Sequence, residues 1–401
     1  MSLTHIPNSI LAEHTRIAQS VVKEARDNDG LAPVDLDRFW ADQAIAKEDP
    51  FGASIPQCPL GITMWGECVY DELGIPEDYW RYETDLDWQI SLNKAYNDLS
   101  EKIVGRRLLN EVKPDPSRAW PTTKALHDVF ESKNVWLDRS WWLMEVAHDE
   151  RELEKLLNRV DKRLENLREF VLPANWETEK QRLRSLGVPP PLYRWQRGPV
   201  TFATSIFGIE NLIFLINDNP DLAGRFRDAI IRAMLEIGRI LDEEAGFTQS
   251  TSPRGFGFAD DNCAMLTPEM YEFFGFPVLK KIWEVYSPGE KDRRYQHSDS
   301  AMAHHLPVLG KLKLTGTNFG PTVTVAEIRK HLPRAVIDGQ LAPFTFCRNE
   351  EEKIVIEFLR DFEQARATRG LNFATAGSIN NGSRLTGLRL IMSAIQRYGR
   401  Y

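Results

Sequence analysis

From about residue 190 onward, short apolar runs alternate with segments whose apolar residues recur every three or four positions. The short runs predict strands at 192–196, 255–259, 293–298, 312–318, 335–339 and 371–376, each followed by a helical pattern. The helix starts are well marked. Asn219, Pro220 and Asp221 supply an N-cap, a proline at the first helical position and an acidic first turn. Thr267, Pro268 and Glu269 repeat that signal, and Thr324 with Glu327 reads as a capping box. Asn349 precedes Glu350, Glu351 and Glu352, which suit a positive helix N-terminus. That helix carries Ile354, Phe358, Phe362 and Ala365 on one face, and Gly370 can take a left-handed cap.

Strands alternating with helices imply a parallel sheet, because parallel strands need crossovers. Further strands near 60–65 and 135–139 bring the count to eight. The expected fold is therefore α/β, a (β/α)8 TIM barrel rather than an open doubly wound sheet. Gly255 and Gly257 lack the third glycine of a dinucleotide fingerprint. Earlier in the chain the rhythm is absent. Helical patterns at 36–47, 85–105 and 121–132 are joined by long loops, and ten of the eleven tryptophans precede residue 200. With no Gly/Ser/Pro-rich linker in between, residues 1–120 read as a helical, tryptophan-rich elaboration packed on a barrel of residues 121–401.

The 401 residues carry 50 Lys+Arg against 58 Asp+Glu, a net charge of −8, which argues against a nucleic-acid partner. Cys58, Cys68, Cys263 and Cys347 form no close pair, so neither a disulfide framework nor a thiolate knuckle is expected and a reduced cytoplasm is the expected compartment. No apolar stretch approaches the roughly 18 residues of a membrane span, and residues 1–8 lack the basic and apolar regions of a leader.

Barrel active sites lie where strands end and the following loops begin. Asp260, Asp261, Asn262 and Cys263 fall there, as do His297 and Asp299, Asn318, Asp338 and Gln340, and Asn380 with Asn381. Asp260, Asp261, His297 and Asp299 are the catalytic candidates. The two acids at 260–261 are expected to face the same cavity as His297, since their strands are successive; the alternative is that they cap a helix or hold Arg254. His297 and Asp299 offer a nitrogen and a carboxylate from one strand end, and Cys263 could complete a zinc site. Arg194 and Arg197 bracket Trp195, where they could receive a carboxylate bidentately or pair on the surface. Asn262, Asn318, Gln340 and Asn380 complete the substrate-binding candidates. His304 and His305 read as supporting residues rather than ligands.

Several segments together resemble one family. They are Arg197-Gly198-Pro199; Asp260-Asp261-Asn262 before Leu266-Thr267-Pro268-Glu269; His297-Ser298-Asp299 before His305-Leu306-Pro307; Gly339-Gln340-Leu341-Ala342-Pro343; and Ala376-Gly377-Ser378 before Arg397-Tyr398-Gly399. From about residue 190 the chain resembles the uroporphyrinogen decarboxylase superfamily, which also contains corrinoid and coenzyme M methyltransferases. The resemblance implies a (β/α)8 barrel with its site at the C-terminal rim. The decarboxylase's N-terminal arginine-rich clamp has no match: only Arg16, Arg26 and Arg38 lie in the first 60 residues. The methyltransferase branch holds zinc with His-x-Cys and a later cysteine. Here the pair is His297-x-Asp299, and the later position falls near Ala376-Gly377, without a thiol.

The resemblance thus implies a metal-assisted methyltransferase that moves a methyl or one-carbon group from a small substrate to a corrinoid on a partner protein. An aromatic methyl ether or methylamine against Trp65, Trp80 or Trp88 would be the donor. One alternative is a cofactor-free decarboxylase of uroporphyrinogen or a smaller aromatic or pyrrole acid, with Asp260 or Asp261 stabilising a cationic intermediate. The other is a non-catalytic barrel that binds a small molecule. A homodimer is compatible with each; a membrane partner is not expected.

Overall fold

The computed structural model describes residues 8–401; the expectation of no leader rests largely on residues 1–7 and to that extent lies outside them. Three of the four helix starts marked in the sequence fall where their cap residues stand. Asn219 accepts from Leu222 N at the start of Pro220–Glu244, and Thr267 accepts from Met270 N at the start of Pro268–Tyr286. Thr324 and Glu327 close a capping box on Val325–His331. One boundary differs: Glu351–Ala365 takes Glu350 as its N-cap. Asn349 is left-handed (φ 53°) and its amide donates to Gly382 O instead. The early helices are Leu36–Glu48 and Leu86–Val104, whereas the pattern at 121–132 yields only Leu126–Val129. Among the described residues no single helix is long and apolar enough to cross a membrane.

The segment near 135–139 is not a barrel strand. It is one arm of an antiparallel hairpin, β1 (Asn134–Leu137) and β2 (Ser140–Leu143). Asp138 and Arg139 both have positive φ (46° and 71°), the two-residue turn that reverses a chain on itself. Six parallel strands then follow in one sheet in chain order: β3 (Trp195–Arg197), β4 (Phe256–Ala259), β5 (Arg294–Ser298), β6 (Gly316–Phe319), β7 (Val336–Leu341) and β8 (Leu371–Thr375). The α/β alternation is as expected, with fewer full strands than eight.

The segment near 60–65 contributes a single residue. Leu60 makes a parallel bridge to Phe373 of β8, through Phe373 N to Pro59 O (2.8 Å) and Gly61 N to Phe373 O (2.7 Å). On its other side the buried Gln43 amide donates to Leu60 O (2.7 Å) and accepts from Leu60 N (2.9 Å). One side chain thus takes the place of a neighbouring strand. Proline at 59 supplies no N–H to extend the ladder.

The chain divides into two compact units. One comprises Pro114–Ser298 and His304–Thr315. There β3, β4 and β5 pair in parallel, with Arg197 opposite Ala259 and Ala259 opposite His297. Phe258 turns outward onto Trp283 of the Pro268–Tyr286 helix (ring centroids 5.6 Å apart), and Trp283 Nε1 donates to Phe256 O. Neighbouring strand positions therefore face inward. The other unit comprises the described residues up to Lys113, Asp299–Ala303 and Gly316–Tyr401. There β6, β7 and β8 pair in parallel. The Glu351–Ala365 helix covers them, with Phe358 edge-on to Phe373 at 5.0 Å.

Candidate active site

β4 ends one residue before two acids. Asp260 N still donates to His297 O (2.9 Å), so the backbone leaves the ladder only after Asp260. Asp261 opens a 3-10 turn, Asp261–Met265, and its Oδ1 lies 3.6 Å from His297 Nε2. Asp299, just past the end of β5, joins them: Asp261, His297 and Asp299 each place one donor atom within 4.8 Å of the others. Room around Asp299 depends on two glycines. A Cβ on Gly320 would sit 2.5 Å from Asp299 O, and one on Gly377 would sit 2.6 Å from Asp299 Cβ.

The turn carrying Asp261 is tied from below by two histidines. His304 Nε2 lies 3.0 Å from Leu266 O, and His305 Nε2 lies 2.7 Å from Cys263 O. His305 is fully buried and its Nδ1 has no partner. Burial pushes its pKa down to about 4, so it is neutral and donates through Nε2. Their supporting role follows from these bonds, which no sequence spacing announces.

Other candidates face elsewhere. Asp260 is fully buried under the Pro199–Phe207 helix and accepts from Thr201 N (2.8 Å), capping that helix from outside the chain segment. Its carboxyl is pushed up to about 7 by burial. Gly198 makes this possible, since a Cβ there would lie 2.1 Å from Asp260 Cβ. Asn262 turns back to the same helix: its N donates to Thr201 Oγ1 and its amide to Thr204 Oγ1. Cys263 is buried with Sγ 3.8 Å from Ser298 Oγ, and burial holds its thiol well above the ordinary range. A protonated, enclosed thiol is a poor ligand, and Cys263 is outside the donor cluster.

Arg194 precedes β3 and so stands at the strand's N-terminal end, away from the rim. It grips the buried Asp242 through both carboxylate oxygens (2.6 and 2.8 Å) and its guanidinium lies over the Tyr286 ring. Arg197 ends β3 at the rim, donates to Ser205 Oγ at 3.2 Å, and feels the charge of Asp261. Asn318 is consumed by backbone: its amide donates to Thr375 O (2.9 Å) and to Asp338 O, and its oxygen accepts from Gly377 N. Gln340 is buried and donates to Gly320 O and Val323 O. Asn380 lies in the loop after β8, where its carbonyl accepts from Ser383 N. Trp65 and Trp80 are about half exposed (48% and 50%), while Trp88 stacks near Tyr70 and Tyr82 beneath Arg81.

One imidazole and two carboxylates form a donor set suited to a borderline or hard divalent ion such as zinc or manganese rather than to a thiophilic one. Metal–ligand bonds of about 2.0–2.2 Å put neighbouring donors roughly 3–3.5 Å apart. The 3.6 Å pair meets that spacing nearly as it stands, and the third donor lies within 4.8 Å of both.

The uroporphyrinogen decarboxylase (URO-D) family model matches residues 155–398. Among curated proteins none matches the chain. A solved methyltransferase from Methanosarcina mazei is similar in structure, with a TM-score of 0.54 and 16% identity over 88% of this chain and 96% of that one. At that identity the likeness speaks to fold.

Proposed function

The chain belongs to the uroporphyrinogen decarboxylase family, and from that premise we propose a metal-assisted methyltransferase that moves a methyl or one-carbon group from a small substrate to a corrinoid on a partner protein. The observation that carries this reading is the convergence of Asp261, His297 and Asp299 at one strand end. A divalent ion held there would supply Lewis acidity to the heteroatom from which the methyl departs. The methyl leaves without its bonding pair, so the heteroatom gains electron density and then a proton. His297 Nε2, 3.6 Å from Asp261 Oδ1, would be one of the donors to that ion, so the proton comes from solvent. The M. mazei neighbour named as a methyltransferase supports the same direction.

The first test is metal analysis of the full-length protein purified without chelator. About one equivalent of a transition metal is expected, lost in His297→Ala and in Asp261→Asn. Less than about a tenth of an equivalent, with the same content in His297→Ala, would refute the reading. A second reading is metal-free decarboxylation of an aromatic or pyrrole acid, favoured by the lightly bonded Arg197 at the rim. Chelator-insensitive release of carbon dioxide from such an acid would select it.

A further inference from the structure

Buried and half-buried arginines in this protein are well used by it. Arg294 donates to Ser287, Gly289 and Leu312 carbonyls, Arg329 to four carbonyls, and Arg194 to Asp242, Ser252 and two carbonyls. Arg197 is the exception. It is half-buried, a guanidinium has five N–H groups, and its side chain makes one bond, to Ser205 Oγ. Among the described residues no carboxylate lies within ion-pair distance of it.

Its position is fixed by the ladder. Arg197, Ala259 and His297 are register neighbours across β3, β4 and β5, so their side chains leave the same face. Two strand spacings put the backbones of Arg197 and His297 about 10 Å apart. Between them Ala259 stops at Cβ and stays partly accessible, leaving a slot. Two residues earlier the same face carries Trp195, Gly257 and Tyr295. The Trp195 ring occupies the space a Gly257 side chain would need and lies 5.9 Å from the Tyr295 ring. The slot therefore has a floor of two rings against which the Arg293 guanidinium lies (4.4 Å from the Tyr295 ring centroid), a cationic fork at one end and the His297–Asp261 pair at the other.

From this geometry we infer that the substrate is an aromatic carboxylate, its acid group held by Arg197, its ring over Trp195 and Tyr295, and its reacting atom at His297. This deepens the reading of the preceding subsection and rests on it for the place of reaction. Formal charge agrees. A divalent ion against Asp261 and Asp299 sums to zero, and the Arg197 and Arg293 guanidiniums leave the slot cationic, which favours an anionic substrate. A carboxylate would fill the empty N–H positions as a fork-to-fork pair, which Lys cannot reproduce.

The test is calorimetric titration of the full-length protein with 4-methoxybenzoate and with 4-methoxybenzamide, which keeps the ring and loses the charge. The acid is expected to bind at least tenfold more tightly than the amide. Arg197→Met should weaken the acid by ten- to a hundredfold and leave the amide unchanged, with Arg197→Lys between the two. Melting temperatures of both variants confirm that they are folded, and their metal content should equal that of the unsubstituted protein. Equal binding of acid and amide, no binding of either at 10 mM, or an unchanged affinity in Arg197→Met overturns the inference. Arg197-dependent binding in a protein that holds no metal would instead overturn the metal reading and leave this one standing.

Discussion

Acid should loosen the turn that carries Asp261, and His305 is the group responsible. Its Nε2 donates to Cys263 O, its Nδ1 has no partner, and the ring packs against Tyr271 (centroids 4.5 Å apart). Protonation would create a buried N–H with no acceptor, beside His304 whose ring lies 4.0 Å away. Burial is the larger cause that lowers the pKa from 6.5 to about 4, with His304 adding to it. The folded state then binds its proton only near pH 4, while the unfolded chain binds it near 6.5, so stability rises with pH across that window and is lost on acidification. At 1.36 kcal/mol per unit, the loss between pH 7 and pH 4.5 is about 2–3 kcal/mol as an order of magnitude. His305→Gln places an amide nitrogen where Nε2 stood, keeps a donor for Cys263 O and cannot titrate. At pH 7 it should be less stable by about 1 kcal/mol from lost ring packing. Below about pH 5.5 it should be the more stable protein. Guanidinium unfolding of both proteins side by side from pH 4.5 to 7.5 measures the difference, in which all shared titrations cancel. A difference that stays constant over that range would refute the reasoning.

Gly198→Ala forces a Cβ into the Asp260 side chain and should cost about 2–4 kcal/mol in stability, read as a drop in melting temperature. Asp242→Asn strips the charge partner from Arg194 at the far end of the strands and should destabilise by about 3 kcal/mol, yet leave metal content as it was. Cys263→Ser should also leave metal content unchanged, because the thiol is enclosed and outside the donor cluster; a loss of metal would show that it ligates. Gln43→Ala removes both bonds that border Leu60 and should cost about 1–3 kcal/mol by chemical denaturation.

The α/β rhythm was legible because each strand of the barrel and the helix after it are set by local signals. Asn219, Thr267 and Thr324 cap from within their own segments, and their helices start where those residues stand. The hairpin at 134–143 misled because alternating apolar residues mark a strand without saying what it pairs with; the left-handed turn at Asp138 and Arg139 decides that. Strand ends were also readable to within a few residues, so Asp261 and His297 come together at the ends of β4 and β5. What could not be read is direction over one residue. Arg194 and Arg197 differ by three positions, yet one precedes β3 and the other ends it, so they stand at opposite ends of the strand.

The same limit explains the pair at 260–261. Adjacent residues leaving a strand point to opposite sides, so only one acid of the two can reach His297. Which one depends on where the ladder stops, and Asp260 N is still bonded to His297 O. Asp260 therefore turns outward and meets the N-terminus of the Pro199–Phe207 helix, which lies some sixty residues earlier in the chain, with space for it only because residue 198 has no side chain. Gly320 and Gly377 do the same for Asp299. The site is thus placed as much by three absent side chains as by three present ones. A glycine in a sequence announces only that something approaches closely or turns sharply there, never what approaches.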